Sequence, residues 1–97
     1  MGNDCLIAAN CIFSDTYHIN ADLETPIRLQ GCEYGPIVLE DNVWLGAGVK
    51  VLRGVTIHSG AIIAAGAVVN RDIPSNEIWG GIPARKLKDR SPNSQKL

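Results

Sequence analysis

The chain lacks an excess of charge of either sign. Nine Lys and Arg side chains balance ten Asp and Glu side chains, giving a formal net charge of -1. Proteins that neutralise nucleic-acid phosphates normally carry a basic surface, so this balance argues against nucleic-acid binding. Several basic residues nevertheless cluster near the end of the chain, where they could meet an anion such as a phosphate: Arg85, Lys86, Lys88, Arg90 and Lys96.

Long apolar runs and paired cysteines are also missing. No apolar stretch approaches the roughly eighteen residues that a membrane-spanning helix needs, and the start MGND lacks the basic residues of a signal peptide. We therefore expect a cytoplasmic protein with no membrane partner. Cys5, Cys11 and Cys32 are odd in number and lack C-x-x-C spacing, which argues against a zinc knuckle or a redox pair. We expect them to be reduced and to act as small apolar side chains.

A period of six runs through the sequence. Read from Leu39, the hexads are LEDNVW, LGAGVK, VLRGVT, IHSGAI, IAAGAV and VNRDIP. Their first place is always aliphatic and their fifth place is always apolar. Neither a helical nor a strand period explains this pattern alone, whereas short strands joined by tight turns do, with Gly or Asn supplying positive φ at the turns. Six matches without an interruption also disfavour ordinary strands of a β-sandwich.

These hexads predict a three-sided parallel coil. Each hexad would form one face, with its first residue inside and its fifth residue near the corner. Residues 37–74 then hold two regular coils, in which Leu45 stacks on Ile63 and Val51 on Val69. The same frame predicts N-terminal hexads over 1–13. Because the phase is lost after Phe13, residues 14–36 are expected to leave the coil as an excursion loop.

The C-terminal part departs from the repeat. Residues 75–90 are predicted to hold an extended exit segment, EIWGG, followed by a short helix. Pro83 suits a first helical position, and the next five residues, ARKLK, are good helix formers. Residues 91–97 are expected to form a disordered tail.

Four motifs resemble a known family in their order and spacing. DNVWLGA at 41–47, RGVTI at 53–57, AAGAVV at 64–69 and GIPAR at 81–85 are similar to the C-terminal half of the left-handed β-helix acyltransferases. This family includes galactoside, maltose, serine and antibiotic O-acetyltransferases, and FSDTYH at 13–18 makes the sugar O-acetyltransferases the closest branch. The resemblance implies an all-β chain, a left-handed parallel β-helix of hexapeptide repeats with one excursion loop and a short C-terminal helix. It also implies a homotrimer that transfers acetyl from acetyl-CoA, without a metal, to a hydroxyl of a small-molecule acceptor such as a sugar.

The resemblance assigns the chemistry to His18. An alcohol is a poor nucleophile toward a thioester, so a group of near-neutral pKa must take its proton as the new bond forms, and imidazole is suited to this. The matching family histidine lies in a loop that meets a neighbouring subunit. Asp15 is a weaker candidate, either for orienting His18 or for forming a turn. The other histidine, His58, is interpreted as an outward surface residue.

The resemblance also assigns a groove for coenzyme A between two β-helices, each from a different subunit. Trp44 and Ala47 would flank the thioester, and backbone N–H groups near Ala47 would stabilise its oxygen. The small residues Ala65 and Gly66 would line the pantetheine arm. The phosphates would be approached by Asn70, Arg71 and Arg85. Trp44 and Trp79 are also interpretable as residues of a subunit interface.

The sequence departs from the family before the loop. Only two hexads precede the hexad that starts the loop, whereas full members carry more coils there, and those coils hold acceptor-binding residues. The alternative is therefore a non-catalytic trimeric β-helix, a truncated relic or interaction module that can still bind CoA. A carbonic-anhydrase-like zinc site is disfavoured because the chain has only His18 and His58, without the spacing of metal ligands.

Overall fold

The computed structural model describes residues 1–92, and nearly all of its regular structure is β. Two strands, β1 (Leu6–Ile7) and β2 (Ile12–Phe13), precede the excursion, and two more, β3 (Thr16–His18) and β4 (Cys32–Tyr34), lie within it with a 3₁₀ turn at Ile27–Leu29 between them. The remaining strands are β5 (Val38–Leu39), β6 (Trp44–Leu45), β7 (Lys50–Val51), β8 (Thr56–Ile57), β9 (Ile62–Ile63), β10 (Val68–Val69), β11 (Glu77–Gly80) and β12 (Arg85–Asp89). The predicted all-β class is confirmed.

The hexads stack as three parallel faces. Strand β6 pairs with β9, β7 with β10 and β5 with β8, and in each case the partner is the strand three hexads further along the chain. One full coil therefore consists of three hexads. The N-terminal strands extend two of the faces, because β1 pairs in parallel with β6 and β2 with β7.

The core is the inside of this coil. Leu45 lies in register with Ile63 and Val51 with Val69, as the repeat predicts. The fifth-place residues are as buried as those in the first place, rather than merely near the corners: Val43, Val49, Val55, Ala61, Ala67 and Ile73 are all at most 2% exposed. Each hexad thus contributes two inward side chains, which explains why both places are apolar.

The corners explain the Gly and Asn residues. The fourth place of five consecutive hexads has positive φ: Asn42, Gly48, Gly54, Gly60 and Gly66, with values from 57° to 80°. Residues with a Cβ rarely adopt this conformation, and Gly and Asn tolerate it best. Each turn therefore needs a residue that tolerates positive φ, and this is why Gly or Asn recurs every six residues.

The excursion begins and ends at one corner of the coil. Its two ends meet where the Gly35 N–H donates to the Asp15 carbonyl at 2.9 Å. Strands β3 and β4 pair antiparallel inside it, and the guanidinium of Arg53, on the coil, lies 4.4 Å from the centroid of the Tyr17 ring. Arg53 also lies 3.6 Å from a carboxylate oxygen of Glu33 on β4. One coil residue therefore contacts both strands of the excursion hairpin.

The far end of the excursion is organised by Asp22. Its carboxylate accepts hydrogen bonds from the Thr25 hydroxyl at 2.6 Å and from the Glu24 N–H at 2.9 Å. These bonds, the one from Thr25 first, lower the pKa of Asp22 below its usual 3.8. The Gln30 side chain closes the turn by donating to the carbonyl oxygens of Asp22 and Thr25.

The predicted short C-terminal helix is wrong, because residues 85–89 form a strand. β12 pairs antiparallel with the exit segment β11, which itself lies on β9. Without β12, the outer edge of β11 would leave its N–H and C=O groups unpaired, and covering an edge outweighs the weak helix preference of a few residues. Lys86 is held on this hairpin by Asp89 at 3.0 Å and Glu77 at 3.6 Å, and its hydrogen bond to Asp89 is the main cause of a raised pKa. Residues 93–97 of the predicted tail lie outside the described residues.

Within residues 1–92, the structure contains no helix whose length and apolar character would let it cross a membrane.

Candidate active site

A shallow depression lies on the outer face of the sheet that contains β6 and β9. Its volume is about 460 Å³, in the range of small-molecule sites. It is lined by Ala8, Trp44, Gly46, Ala47, Ile62, Ile63, Ala64 and Ala65. Three of the predicted coenzyme A residues, Trp44, Ala47 and Ala65, thus lie together, on two successive coils.

Because the two coils approach closely, the floor of the depression is flat. A Cβ added at Gly46 would lie 2.6 Å from the backbone nitrogen of Ala65, so this position has no room for a side chain. The next pair of residues is joined directly, since the Gly66 N–H donates to the Ala47 carbonyl at 2.8 Å. Gly66, the fourth predicted residue, therefore continues the same surface beyond Ala65.

The alanines offer backbone donors on this surface. Both Ala47 and Ala65 are exposed. Within the part of the chain that the structure describes, their N–H groups have no hydrogen-bond partner. Free amide donors beside a flat apolar floor can bind the carbonyl oxygens of an extended ligand.

The predicted phosphate ligands lie further along the chain. Asn70 and Arg71 follow β10 and are exposed. Arg85 begins β12 in register with Gly80, and one of its guanidinium nitrogens donates to the carbonyl of Ala84 at 3.0 Å. Ala84 in turn donates its N–H to the carbonyl of Val68, the residue that begins β10. All three side chains remain candidates for contact with an anion.

His18 ends strand β3 on the excursion hairpin and is exposed. Its Nδ1 lies 3.3 Å from the Sγ of Cys32, the residue directly opposite on β4. Its carbonyl accepts a hydrogen bond from the Asn20 side chain at 3.0 Å, and the next residue, Ile19, donates its N–H to Gly31. The backbone that carries His18 is therefore fixed on both sides.

One chain does not bring the histidine and the depression together. The excursion returns to the coil at Gly35, whose carbonyl accepts from the Gly54 N–H at the corner between β7 and β8. The depression instead lies over β6 and β9. Within residues 1–92, His18 is not among the residues that line the depression.

The structure accounts for two other residues considered in the sequence, His58 and Trp79, by contacts within one chain. The Nδ1 of His58 lies 3.0 Å from a carboxylate oxygen of Glu40, and both side chains are about two-fifths exposed, so His58 is part of a surface pair on the corner. Trp79 is only 8% exposed and packs into the core of its own chain, where its Nε1 donates to Glu77 at 3.0 Å. Its burial explains the residue without a subunit interface.

Sequence reasoning did not identify Cys32 and Arg53 as neighbours of the histidine strand. Cys32 lies 14 residues from His18, and only the register of the hairpin brings them together. Arg53 belongs to the coil, and its contact with Tyr17 depends on the direction in which the excursion leaves. The described residues bring together no group of three or more His, Cys, Asp or Glu side chains that could hold a metal ion.

Comparison with known proteins agrees with this architecture. Residues 36–71 match the family model of the bacterial transferase hexapeptide, described as six repeats. A galactoside O-acetyltransferase of Lactococcus lactis is 39% identical over 94 residues, covering 92% of this chain and 44% of the relative. The galactoside O-acetyltransferase of Escherichia coli is 37% identical over 90 residues, covering 92% of this chain and 43% of the relative.

A solved structure extends the similarity to three dimensions. The hexapeptide-repeat acetyltransferase of Vibrio cholerae in complex with acetyl coenzyme A superposes with a TM-score of 0.83 and 36% identity, covering 92% of this chain and 48% of that chain. The present chain spans less than half the length of these three relatives. The repeat, the relatives and the fold agree, and the chain belongs to the hexapeptide-repeat transferase family.

Proposed function

We propose that the chain is an acetyl-CoA-dependent O-acetyltransferase that acts on a hydroxyl of a sugar or another small molecule. The observation that carries this proposal is the flat depression on two successive coils, where Ala47 and Ala65 combine small side chains with free N–H groups. The V. cholerae relative, whose superposition covers 92% of this chain at 36% identity, is in complex with acetyl coenzyme A. The two galactoside O-acetyltransferases support a sugar hydroxyl as the acceptor.

The donor would lie extended along this surface. In this proposal the pantetheine arm rests on Ala65 and Gly66, and the thioester lies between Trp44 and Ala47. The Ala47 N–H is suited to stabilise the thioester oxygen as it becomes negative, because a donor that is already in place needs no reorganisation. Asn70, Arg71 and Arg85 would approach the phosphates, where a planar guanidinium can bind two oxygens at once.

The working unit would be a homotrimer of left-handed β-helices. Leu6 and Trp44 are in register on the outer face that carries the depression, and they are 66% and 43% exposed. A second copy would cover these apolar side chains and supply its own His18 to the groove, which supports an active site shared between subunits. The cytoplasmic setting expected from the sequence stays a prediction.

The reaction itself needs one base and one proton path. Nε2 of His18 takes the proton of the acceptor hydroxyl while that oxygen attacks the thioester carbon. The tetrahedral intermediate then collapses, the C–S bond breaks, and the CoA sulfur leaves and receives the proton from His18. The products are the acetyl ester and free CoA, so no group remains on the protein.

Donor binding is tested by thermal-shift titration with CoA and acetyl-CoA. Ala65→Trp places an indole on the floor of the depression and should lower CoA affinity at least tenfold. Ser75→Trp is the matched control, because Ser75 is exposed in a turn of the coil and does not line the depression. Equal CoA affinity in wild type and Ala65→Trp would contradict the placement of the groove.

Chemistry is tested by CoA release over a panel of sugars, other alcohols and amines. His18→Ala should reduce kcat by roughly a hundred- to ten-thousand-fold, the contribution of a positioned general base, without changing CoA affinity. His58→Ala is the control and should stay within about threefold of wild type, because His58 only pairs with Glu40 on the surface. Tight CoA binding without turnover of any acceptor would favour the non-catalytic alternative.

A further inference from the structure

We propose that Cys32 is a positioning residue for His18. In this proposal the Cys32 sulfur accepts a hydrogen bond from Nδ1–H of the imidazole. This contact keeps the free lone pair on Nε2, the nitrogen that takes the proton from the hydroxyl of the substrate. The inference rests on the proposed function, since it assigns Cys32 a part in the same proton transfer. Its structural basis is the 3.3 Å separation between Sγ and Nδ1 on two paired strands.

The geometry fixes this contact. His18 and Cys32 are directly opposite each other in the antiparallel pair of β3 and β4, so their side chains project on the same face of the hairpin. The neighbouring hydrogen bond from the Ile19 N–H to the Gly31 carbonyl measures 3.0 Å and holds the register. Arg53 contacts the same two strands one pair further along, through Tyr17 and Glu33.

The two other cysteines show a different pattern. The thiol of Cys5 donates to the backbone carbonyl of Glu40 at 3.2 Å, and that of Cys11 donates to the carbonyl of Gly46 at 3.3 Å. Both are partly buried against the core at the fifth place of a hexad, which is a packing role. Within residues 1–92, Cys32 is the cysteine whose sulfur meets a side-chain nitrogen. Cys11 therefore provides a matched control for the loss of a thiol.

The choice of tautomer gives this contact a consequence for chemistry. A neutral imidazole carries one N–H, and only its other nitrogen can accept a proton. If Nδ1–H donates to the Cys32 sulfur, Nε2 is free to act as the base. If the thiol donated to Nδ1 instead, the ring proton would lie on Nε2 and the base would be blocked.

The reaction strengthens the productive arrangement. Once Nε2 has taken the acceptor proton, the ring is an imidazolium and its Nδ1–H is a charged donor. Hydrogen bonds from charged donors are stronger than neutral ones, so the sulfur contact stabilises the transition state more than the ground state. Within the described residues Nε2 has no hydrogen-bond partner, which leaves it available for the acceptor.

The ring tautomer is measured directly by ¹⁵N NMR of His18 in the purified, unliganded protein, so this readout needs no acceptor. Wild type should show the Nδ1–H form in excess, and Cys32→Ala should move the population toward the Nε2–H form. Cys11→Ala should leave the His18 signals unchanged. A wild-type ring that is mainly Nε2–H, or populations that do not change in Cys32→Ala, would overturn the proposal even if the protein is an active acetyltransferase.

Kinetics supply the second readout. Cys32→Ala should lower kcat about tenfold, the effect of one modest hydrogen bond, with KM for acetyl-CoA unchanged. Cys32→Ser retains an acceptor atom and should recover part of this loss. If Cys32 only stabilised the hairpin, Cys32→Ser and Cys32→Ala variants of equal stability would have the same kcat. Retention of an acetyl group on Cys32 after mixing with acetyl-CoA would make the thiol a nucleophile and overturn the positioning role. If no acceptor is turned over, the proposed function fails while the NMR result still decides the role of Cys32.

Discussion

Replacing Gly46 with alanine should destabilise the coil at the floor of the depression. The new Cβ would lie 2.6 Å from the nitrogen and 2.9 Å from the Cα of Ala65, which are both backbone atoms and cannot rotate away. The two coils would have to separate by about 0.8 Å to reach ordinary van der Waals contact. Such overpacking costs about 1–3 kcal/mol, and strain on the adjacent Gly46–Ile63 hydrogen bond of 2.8 Å adds about 1 kcal/mol.

The expected loss in the free energy of unfolding is therefore about 2–4 kcal/mol, which lowers Tm by at least about 8 °C for a domain of this size. Thermal and urea unfolding followed by circular dichroism would measure it, at one protein concentration because self-association raises Tm. Gly54→Asn is the matched control: a Cβ there meets nothing within 4 Å, and asparagine tolerates its φ of 73°. The control should lose no more than about 1 kcal/mol, the remaining cost of a positive φ for asparagine. A Gly46→Ala variant as stable as the control would refute the close approach of the two coils.

Three further predictions concern stability and assembly. Trp79→Ala should cost about 3–5 kcal/mol in urea unfolding because the indole is 8% exposed, whereas Ile82→Ala, at a side chain that is 76% exposed, should cost about 0.5 kcal/mol or less; equal losses would contradict the packing of β11. The order of the turn at Asp22 should be complete above the usual carboxyl pKa of 3.8 and disappear as pH falls through the lowered pKa of the folded state; amide NMR of Glu24 would follow this, and Asp22→Asn should abolish the transition. Sedimentation at micromolar concentration should give a trimer, and a stable 10.4 kDa monomer would remove the shared groove.

The coil could be predicted because its constraints are local and repeated. An inward side chain recurs at the first and fifth places, and a positive φ recurs at the fourth. The residue types required in one hexad are therefore required in the others as well. The residues of the depression are predicted by the family resemblance rather than by the period, and the repeat places Trp44, Ala47 and Ala65 outward on stacked hexads. These features required no knowledge of distant contacts.

The remaining features depend on contacts between distant residues. Residues 84–88 favour a helix by themselves, but the open edge of β11 determines their conformation. The contact between His18 and Cys32 requires the register of a hairpin whose strands are separated by a long turn. The burial of Trp79 likewise depends on β11 adding to β9, which no periodicity indicates.

The meeting of Asp15 and Gly35 at one corner has a consequence for how such proteins can diversify. A hydrogen bond of 2.9 Å joins the two ends of the excursion, and the coil resumes its path on the next face. The entropic cost of lengthening a closed loop grows only slowly with its length. The excursion can therefore be extended, shortened or exchanged for that of another protein while the stacked hexads stay in step. The excursion, which carries His18, and the sheet, which carries the depression, would then be able to vary independently within one small chain.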